Sequence, residues 1–132
     1  MGKKTIINPG WDYFKRFTYS PAVRKGNMLF ISGMDCSQVD PATGKIAYKG
    51  DIVEQTKIIY EKLEAVLKAA GASFDDVAWT TDYVTTTENY RGTAEIRRQY
   101  FGNSFPAATA IIVKGLLGQG QLIEVDAVAV LD

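Results

Sequence analysis

The sequence predicts an α+β fold in which a mixed β-sheet carries two helices on one face. Three observations lead there. Short Val- and Ile-rich runs recur between Gly, Asn and Pro punctuation. One long stretch has an apolar stripe at helical spacing, and a shorter one follows it. The resulting order is strands, helix, strand, helix, two strands, with no internal repeat or linker. At 132 residues a single domain spanning 1–132 is expected, long enough to bury a core. Two helices cover only one face of such a sheet. The last strands carry apolar residues on both sides, so another subunit is expected over the open face.

Residues 1–7 open with two lysines and end in Thr5-Ile6-Ile7, a run suited to an edge strand. Asn8-Pro9-Gly10 signals a turn. An aromatic and basic cluster follows: Trp11, Tyr13, Phe14, Lys15, Arg16, Phe17 and Tyr19. Its rings can pin a loop to the core, or form the wall of a site for a flat substrate with Arg16 or Lys15 as charge anchor. Ala22–Lys25 and Met28–Met34 read as strands joined through Gly26-Asn27. Ser32-Gly33 ends the second, and a glycine there allows close approach of backbone to a ligand or another chain. Residues 35–48 are expected as a loop with a turn at 40–44. Cys36, at its start, has no evident base beside it.

The clearest helix runs from Asp51 to Ala70. Asp51 and Glu54 have the spacing of a capping box, and Gly71 suits a left-handed stop. Ile52, Thr56, Ile59, Tyr60, Leu63, Val66, Leu67 and Ala70 form the apolar stripe, with Lys57, Glu61, Lys62 and Lys68 largely elsewhere. Val77–Thr85 is the next strand. Thr86 or Thr87 is placed to cap a second helix over 88–101, its inner side holding Tyr90, Thr93, Ile96, Arg97, Tyr100 and Phe101.

Residues 105–114 and 122–130 are both rich in Val, Ile and Ala and read as strands, with Gly118–Gln121 between them as a hairpin turn. Two acids interrupt the last run. Alternation puts Glu124, Asp126 and Val128 on one face and Ile123, Val125, Ala127 and Ala129 on the other. A carboxylate on such a strand is solvated, paired, or set in a cavity where its proton has a use.

Composition narrows the chemistry. Fifteen acids balance fifteen bases, so no basic excess is available for phosphates and nucleic acid is an unlikely partner. Cys36 is the sole cysteine and histidine is absent, which removes disulfides, thiolate clusters, His-ligated zinc and His-activated nucleophiles. Any chemistry must then rest on carboxylates, Tyr, Ser/Thr, Lys, Arg, the thiol, backbone groups or water. With no signal peptide or membrane-length apolar run, a cytoplasmic protein is expected.

Several pieces of the sequence stand in the order of a known family. They are Tyr19, Asn27-Met-Leu-Phe-Ile-Ser-Gly33, residues 40–44 (Asp-Pro-Ala-Thr-Gly), Leu67-Lys-Ala-Ala-Gly71, Asp76-Val77 leading to Thr80-Thr81, Phe105-Pro-Ala, and Ile123-Glu-Val-Asp-Ala-Val-Ala. Over about residues 17–130 the chain resembles the RidA family, also called YjgF. The resemblance implies a chorismate-mutase-like fold and a homotrimer with three sites between subunits. It also implies hydrolysis of reactive enamines and imines such as 2-aminoacrylate, without a metal or organic cofactor. By the same resemblance, Tyr19 reaches the cleft, the backbone of Ser32 and Gly33 lines it, and Glu124 holds the attacking water and exchanges protons.

The sequence departs from the family where typical deaminating members carry an arginine that pairs with the substrate carboxylate; here Ala108 stands there. Ala110 replaces a frequent cysteine and Ala94 a site asparagine. Alanine supplies neither charge nor a bidentate clamp, which favours a larger or less acidic substrate unless Arg16, Arg24 or Arg91 reaches in. The substrate-binding set expected is Tyr19, Ser32, Gly33, Ala108, Thr109 and Ala110, with Trp11, Arg16, Phe17 and Arg91 as wall or anchor. The expected function is enamine or imine hydrolysis with Glu124 as acid–base group; the alternative is a non-catalytic trimer that binds small metabolites or acts like a chaperone.

Overall fold

The computed structural model describes residues 3–132. In chain order the strands and helices are β1 (Thr5–Ile7), β2 (Ala22–Lys25), β3 (Met28–Met34), β4 (Gln38–Val39), β5 (Ile46–Ala47), α1 (Ile52–Ala69), β6 (Val77–Val84), α2 (Thr93–Phe101), β7 (Ala107–Ile112) and β8 (Ile123–Val130). Single 3-10 turns occupy Asp12–Arg16, Phe74–Asp76 and Tyr90–Gly92. Six strands form one sheet in the order β1-β2-β3-β8-β6-β7, and β4-β5 form a small hairpin apart from it. All neighbours in the large sheet are antiparallel except β6 and β7, so the sheet is mixed. This is the α+β class the sequence predicts, with β1 at an edge.

Helix α1 begins on the predicted capping box. Asp51 Oδ1 accepts from the Glu54 N–H at 2.9 Å, and the Asp51 N–H donates to Glu54 Oε1 at 3.1 Å. Beyond the helix end Gly71 is left-handed, with φ +71°. The stripe from Ile52 to Leu67 is buried and packs with Leu29, Ile31, Val84, Ile123, Val125, Ala127 and Ala129 into one core. Strand β8 alternates as predicted: Ile123, Val125, Ala127 and Ala129 are buried, and Glu124, Asp126 and Val128 are half-buried on the other side.

Three predictions are corrected. The final hairpin does not exist. β8 lies between β3 and β6, and β7 pairs in parallel with the far side of β6, Trp79 opposite Ala107 through Val84 opposite Ile112. The segment between β7 and β8 must therefore step past β6, two strand spacings of about 5 Å each, which a tight turn cannot do. The second helix also starts later than predicted. Thr86 Oγ1 accepts only the Glu88 N–H, Asn89 is left-handed at φ 58°, and regular helix begins at Thr93 after the 3-10 turn. The 35–48 segment holds the β4-β5 hairpin where a plain loop is expected.

The sheet face away from the helices is apolar and uncovered in the single chain. Phe30, opposite Val128, is 46% exposed, and Trp79, also opposite Val128, is 50% exposed. Met28, Val130 and Ile111 extend the patch. No helix among the described residues is long and apolar enough to cross a membrane.

Candidate functional site

The ladder between β3 and β8 shifts register between Ile31 and Met34. At this irregularity Ser32 turns to other partners: its N–H donates to Pro21 O at 3.0 Å and its hydroxyl to Ser20 O at 2.6 Å. These bonds tie down the chain that leads into Tyr19. They also occupy the Ser32 N–H, which is therefore not free for a ligand in this arrangement.

Gly33, next along, is where Glu124 rests. A Cβ at Gly33 would collide with Glu124 Oε2 and lie 2.8 Å from Cδ, so only glycine leaves room for the carboxylate against the β3 backbone. The other oxygen, Oε1, accepts from Gln121 Nε2 at 3.0 Å. Gln121 is itself oriented, because its Oε1 accepts from the Gly118 N–H at 3.0 Å. With the amide oxygen so engaged, the NH₂ end faces Glu124. Burial pushes the Glu124 carboxyl up from its ordinary value; the Gln121 bond opposes this, and the charges of Asp35 and Asp126 add to it.

The loop that carries Gln121 is pinned from below. Gln55, fully buried on α1, donates to Gly120 O at 2.9 Å and Gly50 O at 3.1 Å, and accepts from the Leu122 N–H at 2.8 Å. Gly118 lies against the Tyr48 ring so closely that a Cβ would overlap it.

These elements enclose a cavity of 540 Å³. Tyr13, Phe14, Phe17 and Tyr19 form one wall, Val39, Ile46, Tyr48 and Leu117 add further lining, and Ser32, Gly33, Asp35, Lys62 and Glu124 supply its polar part. The wall rings pack on one another: Phe17 and Tyr19 are stacked at 5.3 Å, and Phe14 meets both edge-on. Burial, with the Asp35 charge second, raises Tyr13 to about 12 and raises Tyr19 and Tyr48 as well. All three phenols are neutral hydrogen-bonding groups at neutral pH.

Lys62 comes to the site from α1. Its Nζ donates to Asp35 O at 2.7 Å, Ser37 O at 2.8 Å and Ser37 Oγ at 3.1 Å, and lies 3.6 Å from Asp35 Oδ1. Burial lowers its pKa and the Asp35 charge acts the other way. Cys36 beside it is fully buried, with its thiol raised mainly by burial; this is a packed, unreactive thiol.

Of the residues singled out from sequence, Tyr13, Phe14, Phe17, Tyr19, Ser32, Gly33 and Glu124 come together here. The others do not line this cavity. Trp11 packs against the core, Arg16 and Arg91 are exposed, and Arg24 donates to Gly26 O. Ala108, Thr109 and Ala110 lie on β7, exposed and in register with Thr80, Thr81 and Asp82; Ala94 is on α2. Five polar residues were missed: Asp35, Ser37, Tyr48, Lys62 and Gln121. Gln121 looks like a turn residue and Lys62 like a solvated helix position, and only the tertiary fold makes either a site residue. Among the described residues no three acid or thiol side chains converge as metal ligands.

Comparison with known proteins agrees with this architecture. The family model described as Endoribonuclease L-PSP matches residues 15–131. A RutC family protein of Pyrococcus abyssi is 41% identical over 111 residues, 84% of this chain and 84% of that protein. The 2-iminobutanoate/2-iminopropanoate deaminase of Homo sapiens is 35% identical over 112 residues, 85% of this chain and 79% of that one. The crystal structure of a YjgF/YER057c/UK114 family member from Mycobacterium tuberculosis aligns with a TM-score of 0.80 at 29% identity, covering 98% of this chain and 100% of that chain. With the predicted fold class and the Glu124 cavity in place, and a family model matching nearly its whole length, the chain belongs to the Endoribonuclease L-PSP family, known also as RidA or YjgF.

Proposed function

We propose that this chain hydrolyses an enamine or imine on a substrate larger or less acidic than 2-aminoacrylate, with Glu124 as the acid–base group. The observation that carries the reading is the Glu124 carboxyl itself. It is held between Gln121 and the Gly33 backbone at a cavity wall, with burial raising its pKa. A raised pKa is the direction in which a proton-exchanging carboxylate is tuned.

The reaction follows from those groups. Water adds through oxygen to the C=N carbon of the protonated imine, and its proton goes to Glu124. Glu124 returns that proton to the nitrogen of the carbinolamine, the C–N bond breaks, and the hydroxyl proton passes through Glu124 to the departing ammonia as the carbonyl forms, leaving Glu124 as it began. The products are a carbonyl compound and ammonia. Holding water and imine together supplies most of the advantage, since an iminium carbon is already electrophilic. Tyr19 and the other phenols orient the substrate as neutral donors, without a separate cofactor.

The proposed size and charge of the substrate rest on what lines the cavity. Its rings are large, and no arginine is among its lining residues. The position at which the family resemblance places a carboxylate clamp is Ala108. A homotrimer belongs to the same proposal, with β7 of one subunit beside the cavity of the next; the apolar, uncovered face bearing Phe30 and Trp79 supports it. Cleavage of RNA fits less well, because zero net charge and two cavity carboxylates oppose a phosphate backbone.

The test is ammonia release from imines generated in place from Ala, Ser, Leu and Phe, and from the carboxylate-free amines benzylamine and phenethylamine. Turnover should rise from the Ser-derived 2-aminoacrylate to the Phe imine. No turnover on any of them, with binding retained, would move the chain to the non-catalytic metabolite-binding reading.

A further inference from the structure

The cavity carries a charge pattern that goes beyond the reaction type. Two carboxylates, Asp35 and Glu124, face it with a single ammonium, Lys62. All of the Lys62 donors have acceptors in the 35–37 backbone and Ser37 Oγ, so this cation holds the protein and has no N–H left for a ligand. Asp35 lines the same cavity as Tyr13, Tyr19, Tyr48 and Glu124, and its charge helps to raise all four. Around these acids stand five rings: Tyr13, Phe14, Phe17, Tyr19 and Tyr48.

Aromatic faces present negative charge to whatever enters, and a cation held near several rings is attracted more strongly as it loses water. Among this chain's lining residues a ligand carboxylate meets the opposite: a net negative charge, since Lys62 offsets only one of the two acids, and no unengaged donor of a guanidinium or ammonium. The site already described therefore discriminates by sign.

We infer that the cavity selects an aromatic organic cation lacking a carboxylate: the protonated imine of an aryl-bearing substrate, or the corresponding ammonium compound. The inference rests on this cavity being the working site of the proposed function, and it assigns the substrate class that site takes. The cationic nitrogen lies between Asp35 and Glu124, and the aryl group lies against the ring wall. An imine held this way stays protonated, which is its electrophilic form.

The experiment is a calorimetric titration of the intact protein at neutral pH with benzyltrimethylammonium, benzyl alcohol and phenylacetate. The cation should bind at least about tenfold more tightly than either other probe, equivalent to ~1.4 kcal/mol. Asp35→Asn should reduce that preference several-fold. Asn at 35 keeps an oxygen for the Ser37 N–H, which Asp35 Oδ1 accepts at 2.9 Å, and leaves the backbone acceptors of Lys62 in place, so the variant folds. Tyr48→Leu should reduce cation affinity and leave benzyl alcohol binding almost unchanged. Equal affinities, tighter phenylacetate binding, or no cation binding would each overturn the inference. Those results combined with imine turnover would leave the hydrolysis reading standing; cation selectivity without turnover of any imine would do the reverse.

Discussion

The narrowest tolerance in the molecule is at Gly33. The Glu124 carboxylate occupies the space a Cβ would take, and that carboxylate is the movable end of a long side chain. Gly33→Ala should therefore displace Glu124 without distorting the strand. Stability should fall by about 1 kcal/mol, at the low end for overpacking, while kcat/KM for any imine substrate drops roughly 10²-fold, as for an ångström-scale misplacement of a reacting group. Melting curves and steady-state kinetics on the same preparation check both halves. Equal loss of fold and activity would show the glycine to be structural. The pairing of Gly33 with Glu124 could not be read from the sequence. The two residues are far apart in the chain, and neither a strand-ending glycine nor a strand acid states which partner it will meet.

At the scale of elements, two buried polar side chains decide how the helices hold the sheet. Gln55 sits within the α1 stripe and satisfies Gly50 O, Gly120 O and the Leu122 N–H. Gln55→Leu leaves all three without that partner and should cost about 3 kcal/mol or more in urea denaturation, with the loop before β8 exchanging its amide hydrogens faster. On α2, Arg97 lies 3.6 Å from Asp82, a buried carboxylate on the helix side of β6 that also accepts from the Tyr90 hydroxyl. Burial raises Asp82 even with these partners in place. Arg97→Met, which abandons a buried charge, should destabilise by about 3 kcal/mol. Asp82→Asn should cost less, because an amide oxygen still accepts from Tyr90; denaturation midpoints of the two variants decide the order. Periodicity revealed α1, its caps and the strands β2, β3, β6 and β8. It found β7 as a strand but not its partner, because two adjacent β-rich runs imitate a hairpin. Pro106 just before β7 is the clue to an edge strand, and the ten residues from 113 to 122 are too many for a tight turn.

At the scale of the whole molecule, the uncovered face is the main fact. Phe30, Trp79 and Val130 lie exposed on one side of the sheet, and a patch of this kind on a small protein marks an interface. Sedimentation equilibrium at micromolar concentration should give the mass of a trimer; a monomer would contradict the proposed assembly. Alternation in β8 made this face legible in the sequence, because apolar residues stand on both sides of the strand. The cavity was legible only in part. Its aromatic wall and Glu124 stand out as residue types in unusual places. The clamp of Lys62 on the 35–37 backbone and the orienting Gln121 depend on loop geometry that no periodicity encodes.

The central claim, that Glu124 is a proton-exchanging group in a water-poor site, is tested most directly by comparing Glu124→Gln with the parent protein. A carboxyl whose folded pKa is raised binds its proton more tightly when folded, so its stabilising contribution is complete below the unfolded pKa and is lost as pH rises through the folded one. Ionised, the Glu124 carboxylate bears a desolvation cost that glutamine does not. The variant should melt higher than the parent at neutral pH, and the gain should vanish in acid. Its kcat/KM for the preferred imine should fall roughly 10²-fold or more. Activity within a few-fold of the parent, or a lower melting temperature at neutral pH, would contradict the account.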